Sequence, residues 1–226
     1  MILLAIEQST NIGSVAVLNS QNVLGERKWI DKRTSTQLFD VLADLLKEIK
    51  VNLKSIEIYA VGLGPGSYTG LRISIAAAKA FALPGARVVY GLSSANVLAW
   101  SIFEELSPPS VTVIGDARRE KLWLRQFQSK RECLLSDDKW HLITIEELMS
   151  FCRFPTVCVT SDYHRIGKRL QIATAGKVAL VEERKIPSAG CLGKLIAQRS
   201  ESQIQSEPLS PIYLHPAVSV PAKKKL

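Results

Sequence analysis

Three turns in this sequence carry residue types suited to holding a phosphate or a metal ion. Ser9-Thr10-Asn11-Ile12-Gly13-Ser14 follows Glu7 closely and joins two short apolar runs. Hydroxyls and backbone N–H groups in such a turn can cradle phosphate, and an acid at its entrance can organise Mg²⁺. An ordinary polar hairpin fits the same spacing. Gly64-Pro65-Gly66-Ser67-Tyr68-Thr69-Gly70 leads from a strand-like run towards a helix-like one, and a helix N-terminus favours anions. The turn lacks the Gly-Lys-Ser/Thr ending of a P-loop, and its glycines miss the frame of a dinucleotide fingerprint. Glycines that permit close packing are the equal alternative. Asp116-Ala117-Arg118-Arg119-Glu120 follows another apolar run and reads either as a second phosphate turn or as a solvated loop.

Other chemistries find little support. His141, His164 and His215 lie far apart and form no His-Glu-x-x-His pair, so local spacing builds no metal centre. No Gly-x-Ser-x-Gly elbow is present for a serine hydrolase. Cys133, Cys152, Cys158 and Cys191 form no Cys-x-x-Cys pair, and Cys152 and Cys158 sit in apolar company as buried thiols do.

The elements around these turns follow a regular order. Ile2 to Ile6, Ser14 to Leu18 and Val23 to Ile30 read as a β-meander. Leu38, Val41, Leu42, Leu45, Leu46 and Ile49 then recur at helical spacing, with Thr34, Ser35 and Thr36 available as N-caps. A strand at Ile56 to Leu63, a helix from about Leu71 to Leu83, a strand at Arg87 to Tyr90 and a helix from Ser93 to about Leu106 follow. Ser107-Pro108-Pro109-Ser110 is the linker candidate. Beyond it, Val111 to Ile114, Leu122 to Phe127 and Cys133 to Leu135 repeat the meander, and alternating α and β segments follow to Arg199. This order predicts two related α/β lobes sharing a cleft: residues 1–106, residues 107–208, and an extended tail at 209–226 packing back on the first lobe or partly loose.

Composition agrees with a globular chain. The hydrophobic share is 46% and the mean hydropathy +0.10. The apolar stretch from Ile73 to Pro84 is too short and too interrupted for a bilayer span, and the first residues have no positive region before Glu7, unlike a signal peptide. A soluble, cytoplasmic protein is expected. The formal net charge of +8 concentrates at Arg118 to Lys121, at Arg165 to Arg169 and at Lys223 to Lys225. That suits a nucleic-acid partner and equally a well-solvated surface.

Several blocks resemble one known family. Leu4-Ala5-Ile6-Glu7-Gln8-Ser9-Thr10 is similar to the opening motif of the TsaB (YeaZ) family, and Ala60 to Arg72 resembles its signature almost residue for residue. Ile114 to Arg119 and Pro211-Ile212-Tyr213-Leu214-His215 resemble two further family segments. The likeness is strong over residues 1–127 and thin afterwards, except near the end. It implies the duplicated actin-like (actin/Hsp70/sugar-kinase) α/β superfold. It also implies a part in adding threonylcarbamoyl to the tRNA adenosine beside the anticodon. The implied partners are a TsaD-like transferase subunit and a TsaE-like ATPase subunit, with a homodimer when the chain is alone and at most indirect or weak contact with tRNA. The family's old peptidase label and a nucleotide-dependent kinase or ATPase are the rival readings.

Departures from the superfold pattern point away from catalysis. Glu7 stands where an aspartate usually organises metal, and its extra methylene displaces the carboxylate by ~1.5 Å, which octahedral Mg²⁺ tolerates poorly. Ser94 and Leu98 stand where the catalytic sibling carries its metal-binding histidines, and Arg118 and Arg119 replace a glycine-rich turn. Glu7, Ser9, Thr10, Asp116, Arg118 and Arg119 are therefore expected to line a vestigial cleft, with no cofactor and no metal, and nucleotide binding weak or confined to the complex. On the helix around Leu38 to Ile49 the apolar positions span about 160°, wider than the roughly 100° stripe a single core needs. The helix after it is alanine-rich. Leu38, Phe39, Leu42, Leu46, Arg72, Ile75, Ala76 and Lys79 are the expected partner interface.

Overall fold

A computed structural model describes residues 1–30, 37–130, 133–136, 139–152, 155–198 and 208–214. The N-cap candidates Thr34, Ser35 and Thr36, together with His215 and the lysines of the tail, lie outside the described residues.

The chain forms two sheets of matching design. The first contains β1 (Ile2–Glu7), β2 (Ile12–Asn19), β3 (Asn22–Ile30), β4 (Ile58–Gly62) and β5 (Val88–Leu92) in the order β3-β2-β1-β4-β5. Its meander strands pair antiparallel, whereas β4 and β5 run parallel to β1. The second contains β6 (Ser110–Arg118), β7 (Lys121–Lys130), β8 (Cys133–Ser136), β10 (Val157–Val159) and β11 (Ala179–Leu180) in the order β8-β7-β6-β10-β11, with β9 (His141–Ile143) paired to β7. Here too a three-strand antiparallel meander is extended by two parallel strands. The duplicated α/β architecture follows from this repeated order.

Helices form three layers around the sheets. α1 (Gln37–Glu48) and α2 (Tyr68–Ala82) cover the outer face of the first sheet, while α4 (Leu148–Phe151) and α5 (Tyr163–Thr174) cover the outer face of the second. α3 (Ser94–Leu106) and α6 (Ala189–Gln198) pack on the inner face of the first sheet. The period-2 rule sorts β1 between two cores: Leu4 and Ile6 join the α1–α2 side, Leu3 and Ala5 the α3–α6 side. Burial on both faces explains why β1 and β4 read as continuous apolar runs.

α3 is apolar nearly all round because it touches both sheets. Val97 and Trp100 enter the core of the first sheet, and Leu98, Ile102 and Phe103 enter that of the second. The expected lobe boundary at residue 106 thus falls at the end of a shared helix. The expected second lobe loses α6 to the first. Ala189, Leu192, Leu195 and Ile196 pack on Leu3, Ala16 and Leu18, and Gly193 lets the helix approach so closely that a Cβ there would lie 2.3 Å from Leu18. Leu192→Ala should therefore lower stability by about 2–5 kcal/mol, as for a core leucine, measured by urea unfolding. A loss under about 1 kcal/mol would place α6 outside the core.

Candidate functional site

The first two of the turns singled out in the sequence meet at the C-terminal ends of β1 and β4. Glu7 ends β1 and is buried. Its carboxylate accepts hydrogen bonds from the Ser9 backbone N–H at 2.7 Å and from the Ser94 hydroxyl at 2.9 Å. Burial pushes its pKa above the ordinary carboxylate value, and the bonds from Ser9 and Ser94 offset this only in part. Gly62, at the end of the neighbouring parallel strand, makes the space: a Cβ there would lie 1.9 Å from the Glu7 carboxylate. The longer acid is therefore housed by the fold and held by two protein donors.

The glycine-rich turn works as a packing connector. Gly64 has φ +88° and precedes a cis proline bond to Pro65, and a positive φ favours glycine. Its carbonyl accepts from the Ser94 backbone N–H at 2.8 Å and the Ser93 hydroxyl at 3.1 Å, while its N–H donates to the Ser94 hydroxyl at 3.1 Å. Gly66 and Gly70 let the turn lie on the backbone of Ser9 and Gln8, since a Cβ would come within 2.0 and 2.3 Å of their carbonyl oxygens. Ser67 donates its backbone N–H to Ser9 at 2.7 Å, and its hydroxyl caps α2 by accepting from Gly70. Of the two readings left open by the sequence, close packing is the one this geometry carries.

The first turn also spends its polar groups internally. The Thr10 hydroxyl donates to the Ile12 carbonyl at 2.9 Å and accepts from the Ile12 N–H. Asn11 is taken by Arg184, which contacts its side-chain oxygen and also donates to the Ser161 carbonyl at 3.1 Å. Arg184 thus bridges the first lobe's turn and the end of β10. An isolated arginine in a loop carries no spacing signal, so sequence reasoning missed it, as it missed the supporting role of Gly62.

In the β6–β7 hairpin, Arg118 and Arg119, expected to take up the space of a glycine-rich turn, are exposed. Arg118, Arg119 and Glu120 have φ of 65°, 49° and 62°, the left-handed conformation of a tight hairpin. The Arg118 side chain is 69% exposed and lies 3.7 Å from Asp116. Asp116 is also ion-paired with Arg165 and accepts the Arg118 backbone N–H at 2.7 Å. Burial raises its pKa, but the two arginines outweigh that and leave it below the ordinary value. Leu98 is a core residue, and Ser94 is engaged by Glu7 and Gly64. Cys152 and Cys158 are buried free thiols.

The expected interface residues separate into three groups. Leu38, Leu42 and Ile75 are buried in the first core, a correction to their assignment as partner contacts. The wide apolar arc of α1 has an internal cause. Leu45 and Ile49 press on Gly25 of β3, and Val41, Leu46 and Ile49 pack half-buried against the same core. Arg72 and Lys79 are occupied by the chain itself: Arg72 donates to the Tyr213 hydroxyl at 3.1 Å and lies 4.1 Å from the Tyr68 ring, while Lys79 donates to the Leu209 carbonyl at 3.2 Å. Tyr213 stacks on Tyr68, and the Ile212 N–H donates to the Leu63 carbonyl at 2.8 Å. Phe39 and Ala76 remain exposed, with Phe39 edge-on to Phe81.

The raised pKa of Glu7 has a consequence for stability. Between its ordinary and raised values the folded state holds a proton that the unfolded state has released, so stability falls as pH rises through that window. Glu7→Gln has no such titration. Unfolding by denaturant at a series of pH values from mildly acidic to mildly basic should show the variant gaining on the parent as pH rises. A difference that is constant with pH would mean that Glu7 titrates normally.

The family model described as TsaD, tRNA N6-adenosine threonylcarbamoyltransferase, matches residues 29–175. The tRNA threonylcarbamoyladenosine biosynthesis protein TsaB of Buchnera aphidicola (subsp. Schizaphis graminum) is 25% identical over 188 residues, covering 81% of this chain and 90% of that protein. Its Haemophilus influenzae counterpart is 30% identical, over 66% of this chain and 64% of that one. The Escherichia coli TsaB is 28% identical, over 57% of this chain and 55% of its own length. Among solved structures, YeaZ from Pseudomonas aeruginosa superposes with a TM-score of 0.77 at 22% identity, covering 94% of this chain and all of that one, which shows a shared fold. The signature block, the paired sheets and these matches agree: the chain belongs to the TsaD family of threonylcarbamoyltransferase-like proteins and, within it, to the TsaB (YeaZ) group.

Proposed function

We propose that this chain is a non-catalytic partner subunit of the cytoplasmic machinery that makes threonylcarbamoyladenosine in tRNA, beside the anticodon. It pairs with a TsaD-like transferase subunit and works alongside a TsaE-like ATPase subunit. Family membership and the relatives' named role in this biosynthesis support the pathway. One observation supports the non-catalytic role above all: the polar groups of the cleft are spent on the chain itself. Glu7 is held by Ser9 and Ser94, Arg184 spans from Asn11 to Ser161, and Asp116 is neutralised by Arg165 and Arg118. A nucleotide-dependent enzyme needs such groups free for phosphate and Mg²⁺.

The outer α1–α2 face supports pairing. Phe39 on α1 is 46% exposed, and the exposed Ala76 and Ala80 of α2 permit close approach of a partner helix. The same face joins two copies when the transferase is absent. Aromatic anchors in such patches commonly cost about 2 kcal/mol or more when removed.

A Phe39→Asp, Ala76→Asp variant should stay folded, run as a monomer and fail to co-purify with the transferase homologue. The modified base should then drop in a reconstituted assay. Retained co-purification would place the interface elsewhere. Titration of the parent chain with ATP and Mg²⁺ should show no micromolar binding. A micromolar Kd abolished by Glu7→Ala would instead support the kinase-like reading.

A further inference from the structure

Two basic clusters, Arg118 to Lys121 and Arg165 to Arg169, are far apart in sequence. The fold brings them together on one face of the second lobe. Asp116 in the β6–β7 turn pairs with Arg165 on α5, and Glu120 pairs with Arg169 at 2.8 Å. These pairs consume the acids of the turn. Asp162 is engaged by the Asp116 backbone N–H, and Glu146 lies within the field of Arg169. Arg119, Lys121 and Lys168 are exposed and have no anionic partner among the described residues, and Arg118 only shares Asp116 with Arg165. The hairpin turn sets Arg119 between two further left-handed residues, which fixes the backbone that carries these charges.

We propose that this face binds the phosphate backbone of RNA, namely the tRNA on which the machinery acts. The proposal rests on the functional reading above and adds a partner surface to it. Spaced, uncompensated cations on a rigid turn and a helix face suit a phosphate chain, which is neutralised point by point with release of counterions. A protein partner would call for a central apolar or aromatic anchor, and the large apolar side chain exposed on α5 is Ile172 alone. The face lies on the second lobe, so it stays open while α1 and α2 of the first lobe are in contact with a partner.

The test uses the full chain and an unmodified tRNA transcript with adenosine 3′ to the anticodon. Binding is read by fluorescence anisotropy from about 50 to about 200 mM salt. The parent should bind with a clear salt dependence. An Arg119→Ala, Lys121→Ala, Lys168→Ala variant should weaken binding at least about tenfold and reduce the log–log salt slope by about 2–3, roughly one for each lost phosphate contact. A Lys28→Ala, Lys50→Ala, Lys54→Ala control on the first lobe should bind as the parent does. Unchanged binding in the first variant, an equal loss in the control, or preference for anionic phospholipid vesicles over tRNA would each overturn the proposal. The α1–α2 variant should keep its tRNA affinity, and the triple alanine variant should still co-purify with the transferase homologue. RNA binding and partner pairing can therefore fail independently.

Discussion

The arrangement of the first lobe depends on one buried carboxylate. Glu7 ends β1 beside Gly62 of β4 and is bonded to Ser94 at the start of α3, which in turn holds the glycine-rich turn. Its donors are the N–H of the following turn and the hydroxyl that opens α3, and its floor is the bare Cα of Gly62. Burying a carboxyl without partners is costly, so Glu7 makes these partners obligatory. Ser94 in turn binds both polar groups of Gly64, which places the turn that carries Gly66 and Gly70 against the backbone of Gln8 and Ser9. A single acid thereby couples the ends of two parallel strands to the start of two helices.

The duplicated sheets make the contrast between the two turns informative. Each meander begins with a hairpin, and the two hairpins neutralise their polar groups by different means. The first uses backbone packing and short-range hydrogen bonds, with Thr10 closed on Ile12. The second uses ion pairs, with Asp116 between Arg118 and Arg165. Arg184 completes the closure by reaching from the second lobe to Asn11. Groups committed to one another in this way must be broken apart before they can hold a phosphate, and that cost counts against any ligand of the cleft.

The succession of strands and helices and most of their positions were legible because both rest on local periodicity. β1, β2 and β4 are apolar runs bounded by turn residues, and α1 and α2 repeat at helical spacing. What could not be read was which side of an amphipathic element meets which neighbour. The arc on α1 looked too wide for one core, yet Leu45 and Ile49 find Gly25 and the bent edge strand β3 beneath them. α3 and α6 posed the same difficulty. Their apolar faces were visible, but only the tertiary arrangement shows α3 shared between sheets and α6 returned to the first one. In the cleft, the Gly64 to Gly70 turn was recognisable by type. Arg184 was not, because its role comes from a contact across 173 positions of chain.

The segment at 208–214 bears on how α2 is presented to a partner. Arg72 and Lys79 project from the same exposed side of α2 as Ala76, one turn on either side of it. Left free, two cations would flank the small residues and oppose close approach of any basic helix. The strap engages both: Tyr213 takes the Arg72 guanidinium and stacks on Tyr68, and the Leu209 carbonyl takes the Lys79 ammonium. Each cation keeps its charge but loses donors and freedom, which lowers the entropy a partner would have to remove on binding. The strap also hydrogen-bonds to Leu63 at the end of β4, so the outer face of α2 and the Glu7 cluster share a common support.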